Sequence, residues 1–84
     1  MSHEDLQGAV RQRSFVPFRL LVSTGISFDV RHPDQLTVER RSAQIVVTQE
    51  QNGAPVHRFV TIDLLHIVAI EEFPTAGAGT NGTT

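Results

Sequence analysis

The stretch that decides the fold is residues 18–33, which read FRLLVSTGISFDVRHP. Apolar and polar side chains alternate on both sides of Gly25, and alternate side chains of a strand point to the same face. The pattern therefore predicts two antiparallel strands whose apolar faces meet in one core. Both apolar sets share that core if the strands pair as Phe18 with Val30, Leu20 with Phe28, and Val22 with Ile26.

The same register defines a turn and a charged pair. It leaves Ser23, Thr24 and Gly25 as a three-residue loop, which commonly ends in a left-handed residue. Gly25 stands at that position, and glycine adopts a positive φ without steric cost. Arg19 and Asp29 then lie opposite each other on the outer face, where such a pair contributes about 0.2–1 kcal/mol.

Composition limits the class of protein more than its activity. The 84 residues predict a single domain over 1–72 with a thin core, and the absence of cysteine excludes disulfides and thiolate metal sites. The formal net charge of −2 gives no long-range attraction to nucleic acid or anionic lipid. No apolar run approaches 18 residues and no signal peptide is evident. We therefore expect a soluble cytoplasmic protein that does not enter a membrane.

The flanking segments predict one helix and further short strands. Ser2 is a suitable cap for a helix over about 3–14, whose Leu6 and Val10 would pack against the sheet. Period-two alternation and turn residues predict strands over 36–40, 43–50, 56–62 and 67–72. In the strand 56–62 the inward face is either the set Val56, Val60 and Ile62 or the face of Phe59, and we favour the first.

The links between these strands also carry recognisable signals. Residues 51–55 contain Asn-Gly, the strongest short turn dipeptide, and Asp63 is placed to cap a helical turn over 64–66. Residues 73–84 are small, polar and rich in glycine, which predicts disorder. The fold class predicted is mainly β: a short N-terminal helix, then a five-stranded, strongly bent antiparallel sheet closing into a small SH3-like or Sm-like barrel.

From Phe15 to Glu72 the chain resembles a group of small uncharacterised bacterial proteins. The shared features are a leading helix and four motifs, which are here Pro17-Phe18-Arg19, Gly25 to His32-Pro33, Arg40-Arg41-Ser42, and Leu64 to Glu71. This resemblance implies no activity.

The order of elements also resembles the Sm-like family of RNA chaperones that includes Hfq. That family forms rings and binds RNA partly through a lysine-histidine pair before its last strand. Thr61 and Ile62 occupy the matching positions here and cannot replace that pair. The resemblance therefore implies a barrel and a ring, but not this RNA contact, and it is an analogy of fold.

No combination of residues indicates catalysis or a cofactor. His32 and Asp34 flank a proline and are better explained as parts of a turn, while His3, His57 and His66 lack the repeated spacing of metal ligands. The chain has no phosphate-binding loop and no nucleophile elbow. We therefore expect a protein that is not an enzyme and holds no metal or cofactor.

Two surfaces are candidates for binding. The strand residues Ile67, Val68, Ala69 and Ile70 are apolar on both faces, which fits either an edge strand that joins a second copy or a central strand covered by Leu6 or Val10. The second candidate is a possible phosphate-binding set of arginines: Arg31, Arg40, Arg41 and Arg58. Because the chain has no Trp or Tyr to stack bases, we favour a solvated face for these arginines.

Three functional hypotheses follow. The first is a non-enzymatic small β-barrel that self-associates and acts as an interaction module. The second is an Sm-like nucleic-acid-binding protein that uses its arginines. The third is a small regulator that binds a partner protein through the side carrying Leu21, Val46 or Phe59.

Overall fold

Six short strands form two antiparallel sheets of three strands each in the computed structural model, which describes residues 1–73. The elements are α1 His3–Val10, β1 Phe18–Val22, β2 Ser27–Val30, β3 Leu36–Val38, β4 Ser42–Gln51, β5 Ala54–Asp63 and β6 Ile67–Glu72. One sheet has the order β2-β1-β6 and the other has the order β3-β4-β5. Two 3₁₀ turns, Pro33–Gln35 and Leu64–His66, connect the sheets.

The prediction of a mainly β fold with an N-terminal helix is confirmed, but the predicted five-stranded closed barrel is wrong. Six strands are present, and within residues 1–73 the two sheets do not close into a barrel. Pro33 begins the 3₁₀ turn between β2 and β3, because proline fixes φ and has no N–H to continue a ladder. The second break follows Asp63, whose carboxylate accepts a hydrogen bond from the Leu65 N–H at 2.9 Å.

The first hairpin has the predicted register. Phe18 pairs with Val30 and Leu20 with Phe28, and Arg19 lies opposite Asp29. The Val22 N–H donates to the Ile26 carbonyl at 2.9 Å, which closes the three-residue loop. Alternation over thirteen residues was therefore sufficient to set the pairing, because a slip by one residue would turn every apolar side chain outward.

The core lies between the inner faces of the two sheets, where α1 also contributes one side chain. The buried residues are Leu6, Phe18, Leu20, Val30, Leu36, Ala43, Ile45, Ile62, Leu64 and Ile67. The favoured inward set of β5 is confirmed, since Ile62 is buried and Phe59 is 66% exposed. The prediction that Ile26 is a core residue is wrong. Ile26 is 56% exposed because it leaves the turn beyond the part of the hairpin that the second sheet covers.

The predicted end of the helix is also corrected. The helix ends at Val10 rather than near Ser14, and Arg11 caps it with an N–H bond to the Gln7 carbonyl. Only Leu6 of this helix is buried, so little packing holds a further turn. The predicted Ser2 cap is confirmed, since its hydroxyl accepts from the Asp5 N–H at 3.2 Å.

The second hairpin has a tighter turn than predicted. Residues 51–55 were expected in the turn, but Gln51 pairs with Ala54, so that Asn52 and Gly53 alone form it, with φ of 53° and 80°. Pro55 therefore lies inside β5, a position that proline tolerates because β5 is an edge strand.

The strand predicted over 36–40 ends at Val38. Of the predicted disordered tail, Phe73 donates its N–H to the Pro17 carbonyl at 3.2 Å, and 74–84 lie outside the described residues.

Replacing Gly25 is expected to test the turn of the first hairpin. Gly25 has a φ of +91°, and no atom lies within 4 Å of an added Cβ, so the effect of a substitution is conformational rather than steric. We expect Gly25→Val to lower the free energy of unfolding by about 1–2 kcal/mol, the cost of a left-handed backbone for an L-residue. Gly25→Asn is the matched control and should lose less, because asparagine tolerates this region. Urea denaturation followed by circular dichroism measures both, and equal losses would contradict this explanation.

Candidate interaction surfaces

The last strand, β6, lies at the edge of its sheet and pairs with β1 alone among the described strands. Of its predicted interface residues, Ile67 is buried, Ala69 and Ile70 are half-buried, and Val68 is 62% exposed. The register shifts here, so that Val68 is an extra residue between two paired neighbours. The strand is therefore not buried on both faces, and it presents one large apolar side chain to solvent.

The alternative of a central strand covered by the helix is wrong. Helix α1 contacts β3, and Leu6 is buried in the common core. Within residues 1–73, backbone groups along the outer side of β6 also have no strand partner. The hydrogen bond from the Val22 N–H to the Ile26 carbonyl shows which residues of β1 direct their backbone groups to β2, and the residues between them direct theirs to β6. The direction of these groups also alternates along β6, so the N–H and C=O groups of Ile70 and Glu72 point to the free edge.

The four candidate phosphate-binding arginines do not gather on one surface. Arg40 and Arg41 form the turn between β3 and β4, beside Met1 and a cavity of about 390 Å³. One end of β5 pairs with β4 near this turn. Arg58 lies on β5 five residues from that end, a distance of about 16 Å along a strand. Arg31 follows β2 and lines a different cavity. The structure therefore gives no continuous basic track within residues 1–73.

The apolar residues proposed for a protein partner also divide between the sheets. Val46 and Phe59 are directly opposite each other on β4 and β5, and their side chains share the outer face of that sheet. Leu21 belongs to β1 of the other sheet and is half-buried. Phe59 is the most exposed of the three, and Val46 also lines the groove between β2 and β4 that is described below.

A groove of about 610 Å³ lies between β2 and β4. One wall is formed by residues 27–29 of β2, and the other by residues 46–48 of β4. The groove exists because β3 pairs with β4 only as far as Ile45, so the rest of β4 has no neighbour on this side. Each wall is therefore the free edge of a sheet. We call this cavity the inter-sheet groove.

The side chain of Gln35 joins the two walls at one end of the inter-sheet groove. Its Nε2 donates to the carbonyl oxygens of Asp29 at 3.3 Å and Val46 at 3.2 Å. Its Oε1 accepts from the N–H groups of Arg31 at 2.6 Å and His32 at 3.1 Å. One carboxamide thus supplies, between two strand edges, the hydrogen bonds that backbone amides supply inside a continuous sheet.

Charged side chains cluster on the outer side of the same groove. The Arg19 Nε donates to Asp29 Oδ1 at 2.8 Å, and the Arg31 Nη2 lies 3.6 Å from Asp29 Oδ2. Hydrogen bonding to Asp29, with the charge of that carboxylate, raises the pKa of Arg19 above its ordinary value. Both guanidinium groups also lie over the Phe73 ring, at 5.1 and 4.7 Å from its centre. Two fixed cations therefore surround one carboxylate.

The histidines do not converge. His57 and Thr48 are linked by a hydrogen bond of 3.1 Å, and His66 and Ser23 by one of 3.0 Å. His32 and His57 both line the inter-sheet groove, whereas His66 lies at the second 3₁₀ turn. No three histidine, aspartate or glutamate side chains within residues 1–73 are grouped to hold a metal ion.

Sequence reasoning gave the edge position of β6 as one of two alternatives and missed the inter-sheet groove. Nothing in the alternation pattern shows where two strands stop being neighbours. One usable signal was Gln35, because glutamine three residues after the residue that precedes a helical turn often bonds back to that residue's N–H. A second was the proline break directly after Arg31 and His32.

No helix among the described residues is long and apolar enough to cross a membrane. Comparison of the chain with protein-family models, with curated proteins and with solved structures finds no match. The resemblances to small bacterial proteins and to Sm-like proteins stay predictions, and any function has to be argued from the surfaces described above.

Proposed function

We propose that this protein is a non-enzymatic interaction module that associates with a second copy of itself through the free edge of β6. The observation that carries this proposal is the position of β6 at the edge of its sheet, with Val68 62% exposed. Edge strands in natural proteins are commonly protected by lysine, proline or a covering element. Strand β6 contains neither lysine nor proline, and its Val68 is apolar and exposed, whereas Ile70 is half-buried and packs against the core.

The energetics of a small chain support association. Ten apolar residues are buried among residues 1–73 and the chain has no cysteine, so the core is thin and has no covalent link. Adding a strand to an existing edge satisfies free backbone groups and buries side chains on both faces of the new sheet. An antiparallel pair of β6 strands centred on Ile70, whose backbone groups face the free edge, would place Ala69 opposite Glu71. Like charges would then not meet directly across the new pair.

The test compares two charged substitutions at exposed apolar positions. Val68→Lys is expected to shift the protein to a monomer, because a lysine on an edge strand disfavours pairing with another edge. Leu65→Lys is the matched control, because Leu65 is 83% exposed but lies on the 3₁₀ turn, and it should leave the association unchanged. Sedimentation velocity with interference optics is suitable, since the chain has no Trp or Tyr. A wild-type protein that stays monomeric over a wide concentration range would contradict the proposal.

The same samples also test the nucleic-acid hypothesis, for which the arrangement of the arginines gives no support. A chain without Trp or Tyr absorbs almost no light at long ultraviolet wavelengths. Co-purified RNA or DNA would therefore dominate the absorbance spectrum. We expect preparations at low salt to lack that signal, because phosphate-driven binding needs several cations on one track.

A further inference from the structure

We infer that the inter-sheet groove binds an extended peptide of a partner protein, as a strand added between β2 and β4, with apolar and acidic residues alternating along it. This inference concerns a different surface from the β6 edge and does not depend on self-association. It rests on three observations: two facing free edges, an amide of the chain already bound between them, and a division of the lining into an apolar floor and a basic rim.

The edges present their hydrogen-bonding groups to the groove. The carbonyl groups of Asp29 and Val46 point into it, since both accept from Gln35. The direction of the backbone N–H and C=O groups alternates from one residue to the next along a strand. The groups of Ser27 and Thr48, which lie two residues from Asp29 and Val46, therefore point into the groove as well. Neither wall has a neighbouring strand on this side in residues 1–73. An added strand would therefore find donors and acceptors on both sides.

The Gln35 carboxamide shows that the gap accommodates a peptide-like group. A single Nε2 reaches carbonyl oxygens of both walls within 3.3 Å. A peptide backbone carries the same planar amide and would continue this bonding away from Gln35 along the groove. Strand addition of this kind obtains its affinity from main-chain hydrogen bonds and its specificity from alternate side chains.

The lining determines which side chains fit. Phe28 and Val47 are half-buried and pack against the core, so they form an apolar floor. The outer rim carries Arg19, Arg31, His32 and His57 together with the single carboxylate of Asp29, so its cationic groups outnumber its acidic one. The Arg31 side chain is 60% exposed, and its Nη2 lies 3.6 Å from Asp29 Oδ2. The other oxygen of this carboxylate, Oδ1, accepts from Arg19 Nε. The Arg31 guanidinium is therefore only weakly bound to Asp29. A peptide strand in the groove would direct alternate side chains to the floor and to the rim, which matches apolar and acidic residues in turn.

The probes are nine-residue peptides, blocked at both ends and labelled with fluorescein. Valine alternates with glutamate in the first, with lysine in the second and with threonine in the third. We expect fluorescence anisotropy to show at least ten-fold tighter binding of the glutamate peptide than of the lysine peptide. A glutamate peptide with every backbone nitrogen methylated should not bind, because it cannot donate to either wall.

Protein variants locate the binding. Arg31→Glu is expected to reverse the order of the glutamate and lysine peptides, and Arg31→Gln to remove the difference between them. Arg13→Glu is the matched control, since Arg13 is exposed and does not line the groove, and it should preserve the wild-type order. Circular dichroism confirms that each variant is folded. Hydrogen exchange should slow at the amides of Ser27 and Thr48 when the glutamate peptide is added.

Several results would overturn the inference. Binding of none of the peptides, or binding that ignores the charge of the alternate residues, contradicts the assigned occupant. Slowed exchange in β6 instead of β2 and β4 would assign peptide binding to the other edge. Slowed exchange in β2 and β4 on raising the protein concentration alone would show that a second copy occupies the groove.

Discussion

Phe18→Ala is expected to lower the free energy of unfolding by about 3–5 kcal/mol. Phe18 is 1% exposed and lies in the central strand β1, between Val30 on β2 and Glu72 on β6. Its ring centre is 5.8 Å from that of Phe15. Neighbours on both sides limit how far the site can collapse, so truncation leaves a cavity. A domain of this length has about 4–12 kcal/mol of stability in total, and the variant loses a large part of it.

Phe59→Ala is the matched control for this prediction. The same side chain is removed, but Phe59 is 66% exposed on the outer face of an edge strand, so the change should stay within about 0.5 kcal/mol. Phe18→Leu keeps most of the buried volume and gives a folded variant of intermediate stability if Phe18→Ala does not fold. Urea denaturation followed by far-ultraviolet circular dichroism measures all three. Equal losses at the two phenylalanines would contradict the assignment of the core.

The parts of the fold that could be predicted are those set by neighbours in sequence. The register around Gly25 depends on thirteen consecutive residues, and a left-handed glycine and a period of two are both visible in them. The caps at Ser2 and Asp63 are likewise formed by groups two or three residues apart. In each case residues within the same short stretch disfavour the competing arrangement, so no knowledge of the rest of the chain is needed.

The parts that could not be predicted depend on where distant strands stop touching. Alternation assigned Ile26 to the correct face but not to the correct depth, because it cannot show how far the second sheet extends. The closed barrel was predicted from the spacing of short strands and tight turns, but the 3₁₀ turn at Pro33 separates β2 and β3 into different sheets. A strand edge can be located only when such separations are known, which is why the inter-sheet groove was missed and the edge position of β6 was one of two open alternatives.

Gln35 is expected to matter for stability more than a half-buried polar residue usually does. Gln35→Ala should lower the free energy of unfolding by about 1–3 kcal/mol, because four backbone groups lose their partner and two of them belong to different sheets. Hydrogen exchange at the Arg31 and His32 amides should become faster. Gln44→Ala is the matched control on the exposed face of β4, where the change should stay within about 0.5 kcal/mol.

Gln35→Glu separates the two halves of this role. A glutamate retains the oxygen that accepts from Arg31 and His32, but it replaces the donor to the carbonyls of Asp29 and Val46 with a second acceptor. We therefore expect normal exchange at the two amides together with a loss of stability, since two carbonyl oxygens then face a carboxylate. A loss as small as that of Gln44→Ala would show that Gln35 does not hold the sheets together. The free edges of β2 and β4 would then have to be kept in place by the core alone, through Phe28 and Val47.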